Sequence, residues 1–247
     1  MSALDEHADA YGPTFPYLRE NLGMQAVYIE LLEAAIRSRR VSRVLSLGIG
    51  HSTVISALCR SLPNPVKNYV IVEGSRKLVA DLHARLCGDH KPTVVESYFE
   101  EFETSERFDL IEMGFVLEHV AAPDLVLRKM ASHLSSQGAL AIAVPNARSL
   151  HRLIGFHAGL LKDLMMLSER DRELGHRRYF DRVALEELLA GSGLRIEKTK
   201  GLMLKPLTTA QLAAAGLGER VMEALYRVAL DLPDIANALY VEAVPAR

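Results

Sequence analysis

A turn with two glycines, and an acidic residue further along the chain, are the residues best suited to hold a ligand. The turn Gly48-Ile49-Gly50 follows the apolar segment 44–47, and Glu73 ends the next apolar segment. Glycines let a ligand approach the backbone closely, and a carboxylate can accept hydrogen bonds from both hydroxyls of a ribose. Thr53 stands where a dinucleotide fingerprint has glycine or alanine. The pattern therefore favours a nucleoside pocket, and a glycine turn without a ligand is the alternative.

Apolar and amphipathic segments alternate on either side of this turn, which is typical of a parallel sheet covered by helices. In such a sheet, ligands bind outside the carboxyl ends of the strands. The predicted strands are 44–47, 69–72, 93–95, 108–111, 138–144, 194–196 and 238–241. The predicted helices are 17–40, 53–62, 76–87, 123–134, 149–167 and 209–230.

Four segments carry a resemblance to a known family. VLSLGIGHST (44–53) resembles the first motif of the class I S-adenosylmethionine-dependent methyltransferases, and VIVEGS (70–75) resembles their second strand. The stretch 108–146 is similar to the strand-four-to-strand-five signature of the small-molecule branch, and 176–198 resembles its approach to strand six. The resemblance implies a Rossmann-like α/β fold, with helices on both faces of a seven-stranded, mostly parallel sheet whose last strand is antiparallel. It also implies one domain over 1–247, with an N-terminal helix (17–40) and a helical lid insertion (149–178).

The same resemblance implies S-adenosylmethionine as cofactor and assigns residues to it. Ser46 stands where the family usually has an acid that helps to order the cofactor's amino group. The remaining assignments are Gly48 and Gly50 against the methionine part, Glu73 at the ribose, Gly74 and Ser75 near the adenosine, Tyr98 and Phe99 beside the adenine, and Met113 and Gly114 facing the sulfonium.

Residues for the methyl acceptor are expected near the ends of strands four and five. His119 is the candidate general base because its reference pKa is about 6.5, and a structural role in its loop is the alternative. Glu118 is expected to brace that loop. Asn146, His176 and Tyr179 are candidate substrate contacts, with packing and capping as the alternatives. The histidines show no recognisable zinc-ligand spacing, so the sequence predicts no metal.

Composition excludes several other classes of protein. The 247 residues carry 29 Lys+Arg and 31 Asp+Glu, a net charge of −2, which argues against a nucleic-acid binder. The N-terminus lacks the pattern of a signal peptide, and no apolar run approaches a membrane span, so a cytoplasmic protein without membrane contact is expected. The Leu- and Met-rich insertion is expected to pack in the core or to cover the acceptor pocket, and a homodimer contact would have the same pattern.

Together these features predict an enzyme that transfers a methyl group to an O or N atom of a small molecule, such as a secondary metabolite or a sugar-like intermediate. A cofactor-binding protein without transferase activity is one alternative. A nicotinamide-dependent oxidoreductase is another, and Thr53 argues against it. Methylation of protein or RNA is disfavoured by the balanced charge.

Overall fold

The computed structural model describes residues 18–50, 52–85 and 91–246 of the chain. The strands are β1 (Arg43–Leu47), β2 (Asn68–Glu73), β3 (Thr93–Glu96), β4 (Phe108–Gly114), β5 (Leu134–Pro145), β6 (Leu194–Leu202) and β7 (Ala238–Pro245). The helices are α1 (Leu18–Arg39), α2 (Thr53–Cys59), α3 (Arg76–Arg85), α4 (Pro123–Ser132), α5 (Leu150–His157), α6 (Glu169–Glu173), α7 (Arg182–Gly191), α8 (Thr209–Ala215) and α9 (Glu219–Ala229).

The strands form one seven-stranded sheet in the order β3-β2-β1-β4-β5-β7-β6. β7 runs antiparallel to both of its neighbours, β5 and β6, while the pairs among β1 to β5 are parallel. This arrangement confirms the predicted fold class. Because β1 lies between β2 and β4, the glycine turn after β1 is close to the carboxyl ends of both neighbouring strands.

Each face of the sheet carries its own hydrophobic core, because successive side chains of a strand point to opposite faces. Leu45 and Met113 belong to one core, and Ile71 and Leu110 belong to the other. The strands are buried on both faces, so they are almost continuously apolar in sequence. A charged residue inside such a strand is therefore exceptional, and Glu112 in β4 is one.

The insertion after β5 differs from the single helix predicted over 149–167. The helix α5 ends at His157, and Gly159 then adopts a left-handed backbone with φ +73°. The Arg152 guanidinium donates hydrogen bonds to the carbonyl oxygens of Leu164 (2.8 Å) and Met166 (2.7 Å), which stabilise a non-helical loop. No residue of α5 is buried, so the expectation of core packing here is wrong.

The predicted helix 209–230 is divided into α8 and α9, because Gly216 ends α8 with a left-handed φ of +60°. The helix predicted over 53–62 ends at Cys59, and the end of the helix predicted over 76–87 lies outside the described residues. None of the helices in the described ranges combines the length and the apolar composition needed to cross a bilayer.

Candidate functional site

A cavity of about 660 Å³ lies at the carboxyl edge of the sheet. Its floor includes the ends of β1, β2 and β4, α1 forms one wall, and residues between β5 and α7 form another. Ten of the residues predicted from the sequence line it: Gly48, Gly50, Glu73, Ser75, Phe99, Gly114, His119, Asn146, His176 and Tyr179. The topology thus brings the predicted donor and acceptor residues into one space.

The glycine turn has a backbone that other residues rarely adopt. Gly48 and Gly50 have φ values of +82° and +52°, where an L side chain is strained. The Gly48 N–H donates to the carbonyl oxygen of Val72 on β2 at 2.8 Å. A Cβ atom on Gly50 would meet nothing within 4 Å, so backbone conformation rather than crowding requires glycine there.

The Glu73 carboxylate joins two turns at the edge of the cavity. Its Oε2 accepts a hydrogen bond from the Ile49 N–H at 3.0 Å, and its Oε1 accepts one from the Ser75 N–H at 2.7 Å. The side chain is buried but lines the cavity. Each carboxylate oxygen has further acceptor capacity, so Glu73 can accept additional hydrogen bonds from a ligand.

A second carboxylate lies beside the turn, and it comes from β4. Ser46 is fully buried and does not line the cavity, and its Oγ lies 3.0 Å from the Tyr69 hydroxyl oxygen. Its partner in the parallel register is Glu112, which does line the cavity. The acid that is missing on β1 therefore has a counterpart on the adjacent strand.

Glu112 is buried at the floor of the cavity, where hydrogen bonds hold its side chain. Its Oε1 accepts hydrogen bonds from the Tyr28 hydroxyl (2.9 Å) and the Gly114 N–H (2.7 Å). Burial raises the pKa of Glu112 to about 7, although its hydrogen bonds favour the charged form. A Cβ on Gly114 would lie 2.7 Å from the Tyr28 ring and 2.8 Å from Glu112, so glycine is required by close approach.

Four of the residues assigned to the donor do not line this cavity. Ser46 is buried beside Glu112, which lines the cavity in its place on the neighbouring strand. Met113 is fully buried in the core, because strand alternation turns its side chain away from the face that Glu112 and Gly114 share. Tyr98 is 44% exposed and turned outward, whereas Phe99 lines the cavity. Gly74 lies in the turn between Glu73 and Ser75 but outside the cavity lining.

The other end of the cavity contains two histidines in contact. The rings of His119 and His176 are 4.7 Å apart between centroids, at an angle of 82°. Glu118 lies next to them, fully buried, and burial raises the pKa of its carboxyl to about 7. The Arg177 N–H donates to the Glu118 carbonyl oxygen at 2.8 Å, which holds the loop after β4 against the segment before α7.

Asp171 organises the side chains around His176. It accepts hydrogen bonds from the Tyr179 hydroxyl at 3.1 Å, and its Oδ1 lies 3.5 Å from the His176 Nδ1. Burial would raise the pKa of Asp171, but the nearby His176 imidazole and hydrogen bonds from Ser168 hold it below its usual range. The Arg152 guanidinium lies over the Tyr179 ring, 4.1 Å from its centroid.

Asn146 lines the cavity, but its side-chain amide forms hydrogen bonds with the backbone of the surrounding loops. Its Nδ2 donates to the carbonyl oxygens of Asp234 (3.1 Å) and Ala236 (2.9 Å), and its Oδ1 accepts from the Arg148 N–H (2.9 Å). These contacts favour the structural alternative for Asn146 over substrate contact.

Among the cavity residues that sequence reasoning did not assign to the site are Tyr28, Glu112, Arg152 and Asp171. The signal for Glu112 was its charge inside an apolar strand. The signal for Asp171 was the pattern Ser168-x-x-Asp171, a capping box that the structure contains at the start of α6. Nothing in the sequence around Tyr28 or Arg152 indicates what these side chains contact.

Comparison with known proteins identifies the class. A family model described as a methyltransferase domain matches residues 21–199, most of the chain, so the protein belongs to that family. It is a class I S-adenosylmethionine-dependent methyltransferase, with S-adenosylmethionine as its cofactor. A search of curated proteins finds no match to this sequence.

Several solved structures share the fold at low sequence identity. A chain from the complex between the Haloferax volcanii Trm112 methyltransferase activator and a methyltransferase is 15% identical, with a TM-score of 0.64 over 98% of this chain and 99% of that one. The plantazolicin methyltransferase BpumL, solved with SAH, is 14% identical (TM-score 0.58; 98% and 95% covered). The N-methyltransferase NodS from Bradyrhizobium japonicum is 12% identical (TM-score 0.53; 92% and 99% covered).

Proposed function

We propose that this methyltransferase transfers the methyl group to an oxygen or nitrogen atom of a small-molecule acceptor, such as a secondary metabolite or a sugar-like intermediate. The observation that carries the proposal is the single cavity that joins the glycine turn and Glu73 to His119 and His176. Methyl transfer is an in-line displacement, so donor and acceptor must lie in one continuous space.

The residues at one end fit the methyl donor. The backbone of Gly48 and Gly50 can approach it closely, Glu73 can accept hydrogen bonds from its ribose, and Phe99 offers an apolar ring for its adenine. In this proposal Glu112 takes the place of the acid missing at Ser46 and pairs with the donor's amino group. S-adenosylmethionine supplies an activated methyl group, and the protein has to orient the acceptor toward it.

The residues at the other end fit an acceptor. His119 lines the cavity, and its imidazole can take the proton that an acceptor hydroxyl loses during the transfer. A neutral amine would need no such base. His176 and Tyr179 line the same end and are assigned to acceptor contact, with Asp171 fixing the position of both side chains.

The size and cover of the cavity favour a small acceptor. A volume of about 660 Å³ is ordinary for a site that holds small molecules, which span roughly 300–1,000 Å³. Tyr28 on α1 and Arg152 on α5 contribute to its walls, so these two helices narrow the space that a large acceptor would need. A protein or RNA acceptor would have to enter past these elements.

A transfer assay tests the proposal. Full-length protein is incubated with S-adenosylmethionine and a panel of small hydroxyl- and amine-bearing compounds, and the demethylated cofactor and the methylated product are both quantified. We expect product from at least one acceptor, and a loss of product in the His119→Ala variant but not in His157→Ala, a control histidine exposed on α5. Donor binding without transfer to any acceptor would support the alternative of a cofactor-binding protein without transferase activity.

A further inference from the structure

Three side chains at the acceptor end form a cluster with the chemistry of a metal site. Glu118, His119 and His176 each offer one ligand atom, and these atoms lie within 4.8 Å of one another. All three residues also line the cavity. Imidazole nitrogens and a carboxylate oxygen are the donors that Zn²⁺, Fe²⁺ and related divalent ions take in proteins.

The Glu118 carboxylate is the strongest indication that this cluster can bind a cation. The residue is 0% exposed, and neither carboxylate oxygen has a hydrogen-bond partner among the described residues. An ionised carboxylate buried without a partner is costly, and such groups are paired with a cation, bind a metal or take up a proton. A cation among the two histidines and Glu118 would remove this cost directly.

Several contacts hold the segments around the cluster in place. The Arg177 N–H holds the Glu118 backbone, and the Arg178 guanidinium donates to the carbonyl oxygens of Val120 (2.6 Å) and Ala121 (3.1 Å) in the same loop. Asp171 lies on the Nδ1 side of His176 at 3.5 Å. A carboxylate in this position is the usual outer partner of a metal-binding histidine, and it leaves Nε2 as the atom available to the metal.

We infer that Glu118, His119 and His176 bind a divalent transition-metal ion at the acceptor end of the cavity. Zinc bonds to nitrogen and oxygen are about 2.0–2.2 Å long, so the three side chains would close by roughly 1 Å around the ion. Three protein ligands leave at least one coordination position open, and here that position would face the cavity.

The inference goes beyond the proposed function and does not depend on it, because metal binding can be measured without any methyl transfer. Where both hold, a metal-bound acceptor hydroxyl would lose its proton more easily, since a metal lowers the pKa of a coordinated oxygen. His119 would then act as a metal ligand rather than as the free base. The spacing of these residues along the chain does not match a zinc motif, so only the fold brings the cluster together.

Calorimetric titration of the tag-free, chelator-treated full chain with Zn²⁺ tests the inference, with Co²⁺ as a spectroscopic probe. We expect one ion per chain and cobalt absorption bands in the visible range. Glu118→Gln and His176→Ala should each weaken binding by at least about tenfold, and Asp171→Asn by about 10–100-fold. His157→Ala is the matched control and should bind as the wild type does.

Two results would overturn the inference. The first is wild-type protein that binds neither ion. The second is a wild-type affinity that Glu118→Gln and His176→Ala leave unchanged. Thermal unfolding of each variant shows whether it is folded, and the wild-type result stands even where a variant is not. Titration of the metal-free chain with S-adenosylmethionine is run in parallel, so a failure of donor binding is seen separately from a failure of metal binding.

Discussion

The two ends of the cavity differ in how their carboxylates are satisfied. At the donor end, Glu73 and Glu112 both accept hydrogen bonds from backbone amides, and Glu112 accepts another from Tyr28. At the acceptor end, Glu118 is also buried, but neither of its oxygens accepts a hydrogen bond from any residue in the described ranges. The fold itself therefore satisfies the carboxylates at the donor end, whereas hydrogen bonds among the described residues leave that of Glu118 unsatisfied.

The difference follows from the elements that carry these residues. Glu73 and Glu112 lie in paired strands, so the register of β1 with β2 and β4 fixes them beside the glycine turn. His119 and His176 lie on loops, which are positioned by a few hydrogen bonds to Arg177 and Arg178. The residues on strands are suited to hold the methyl donor, which is the same in every member of the family. Residues on loops vary more easily in sequence, so they are suited to contact an acceptor that differs between members.

Replacement of His119 by alanine should have the largest effect of these substitutions, and it should affect turnover but not donor binding. We expect turnover to fall by about 10²–10⁴-fold, because the acceptor would lose the group that handles its proton. Donor affinity should stay within a factor of about two, since His119 lies at the opposite end of the cavity. Steady-state kinetics and donor calorimetry on the same preparation check both parts. A loss of only a few-fold in turnover would return His119 to a structural role.

Glu73→Ala should produce the converse pattern, a loss at the donor end. We expect donor binding to weaken by about 1–3 kcal/mol, the usual cost of losing hydrogen bonds to a charged group. The amides of Ile49 and Ser75 would also lose their acceptor, so the glycine turn would be less ordered. Calorimetry with S-adenosylmethionine measures the change, and unchanged affinity would remove Glu73 from the ribose site.

Glu112 predicts a pH dependence of donor binding. Burial raises its pKa to about 7, so the carboxylate is ionised above that pH and protonated below it. The donor's amino group is positively charged and prefers the ionised form, so affinity should fall by about tenfold between pH 8 and pH 6. Glu112→Gln should bind weakly and show a flat profile over this range. A pH dependence that survives in Glu112→Gln would assign it to another group.

Substitution of Tyr98 and Phe99 should give the smallest of the predicted changes in donor affinity. Tyr98 is exposed outside the cavity, so Tyr98→Ala should change donor affinity by less than about twofold. Phe99 lines the cavity, and its ring tip lies 3.8 Å from the position of a Cβ on Gly48, so Phe99→Ala should weaken binding by several-fold. Equal effects of the two substitutions would contradict the assignment of adenine contact to Phe99 alone.

The sequence was sufficient to predict the sheet because alternation of apolar and amphipathic segments is a local property. It was sufficient for the glycine turn and Glu73 for the same reason, since each ends a recognisable strand. Glu112 could not be assigned, because its place beside Ser46 depends on the pairing of β1 with β4, residues far apart in the chain. Met113 was misassigned because strand alternation turns its side chain into the core, on the face opposite to Glu112.

The insertion after β5 shows a different limit. Helical spacing of leucine and methionine is the same whether those residues are buried or exposed, and here Leu160 is 85% exposed. The end of α5 depends on Gly159 and on the contacts of Arg152 with two carbonyl oxygens, which no spacing rule reveals. The exposed apolar surface still allows the predicted lid or a homodimer contact, and both stay predictions.

Calorimetric titration of the full-length protein with S-adenosylmethionine, its demethylated product and NADH tests the central claim most directly. The cavity described here predicts micromolar binding of the first two and no response to NADH. Binding should be weakened in Glu73→Ala and preserved in His119→Ala, as expected if the donor occupies the glycine-turn end alone. The account would be contradicted if neither the methyl donor nor its product bound to the wild-type protein.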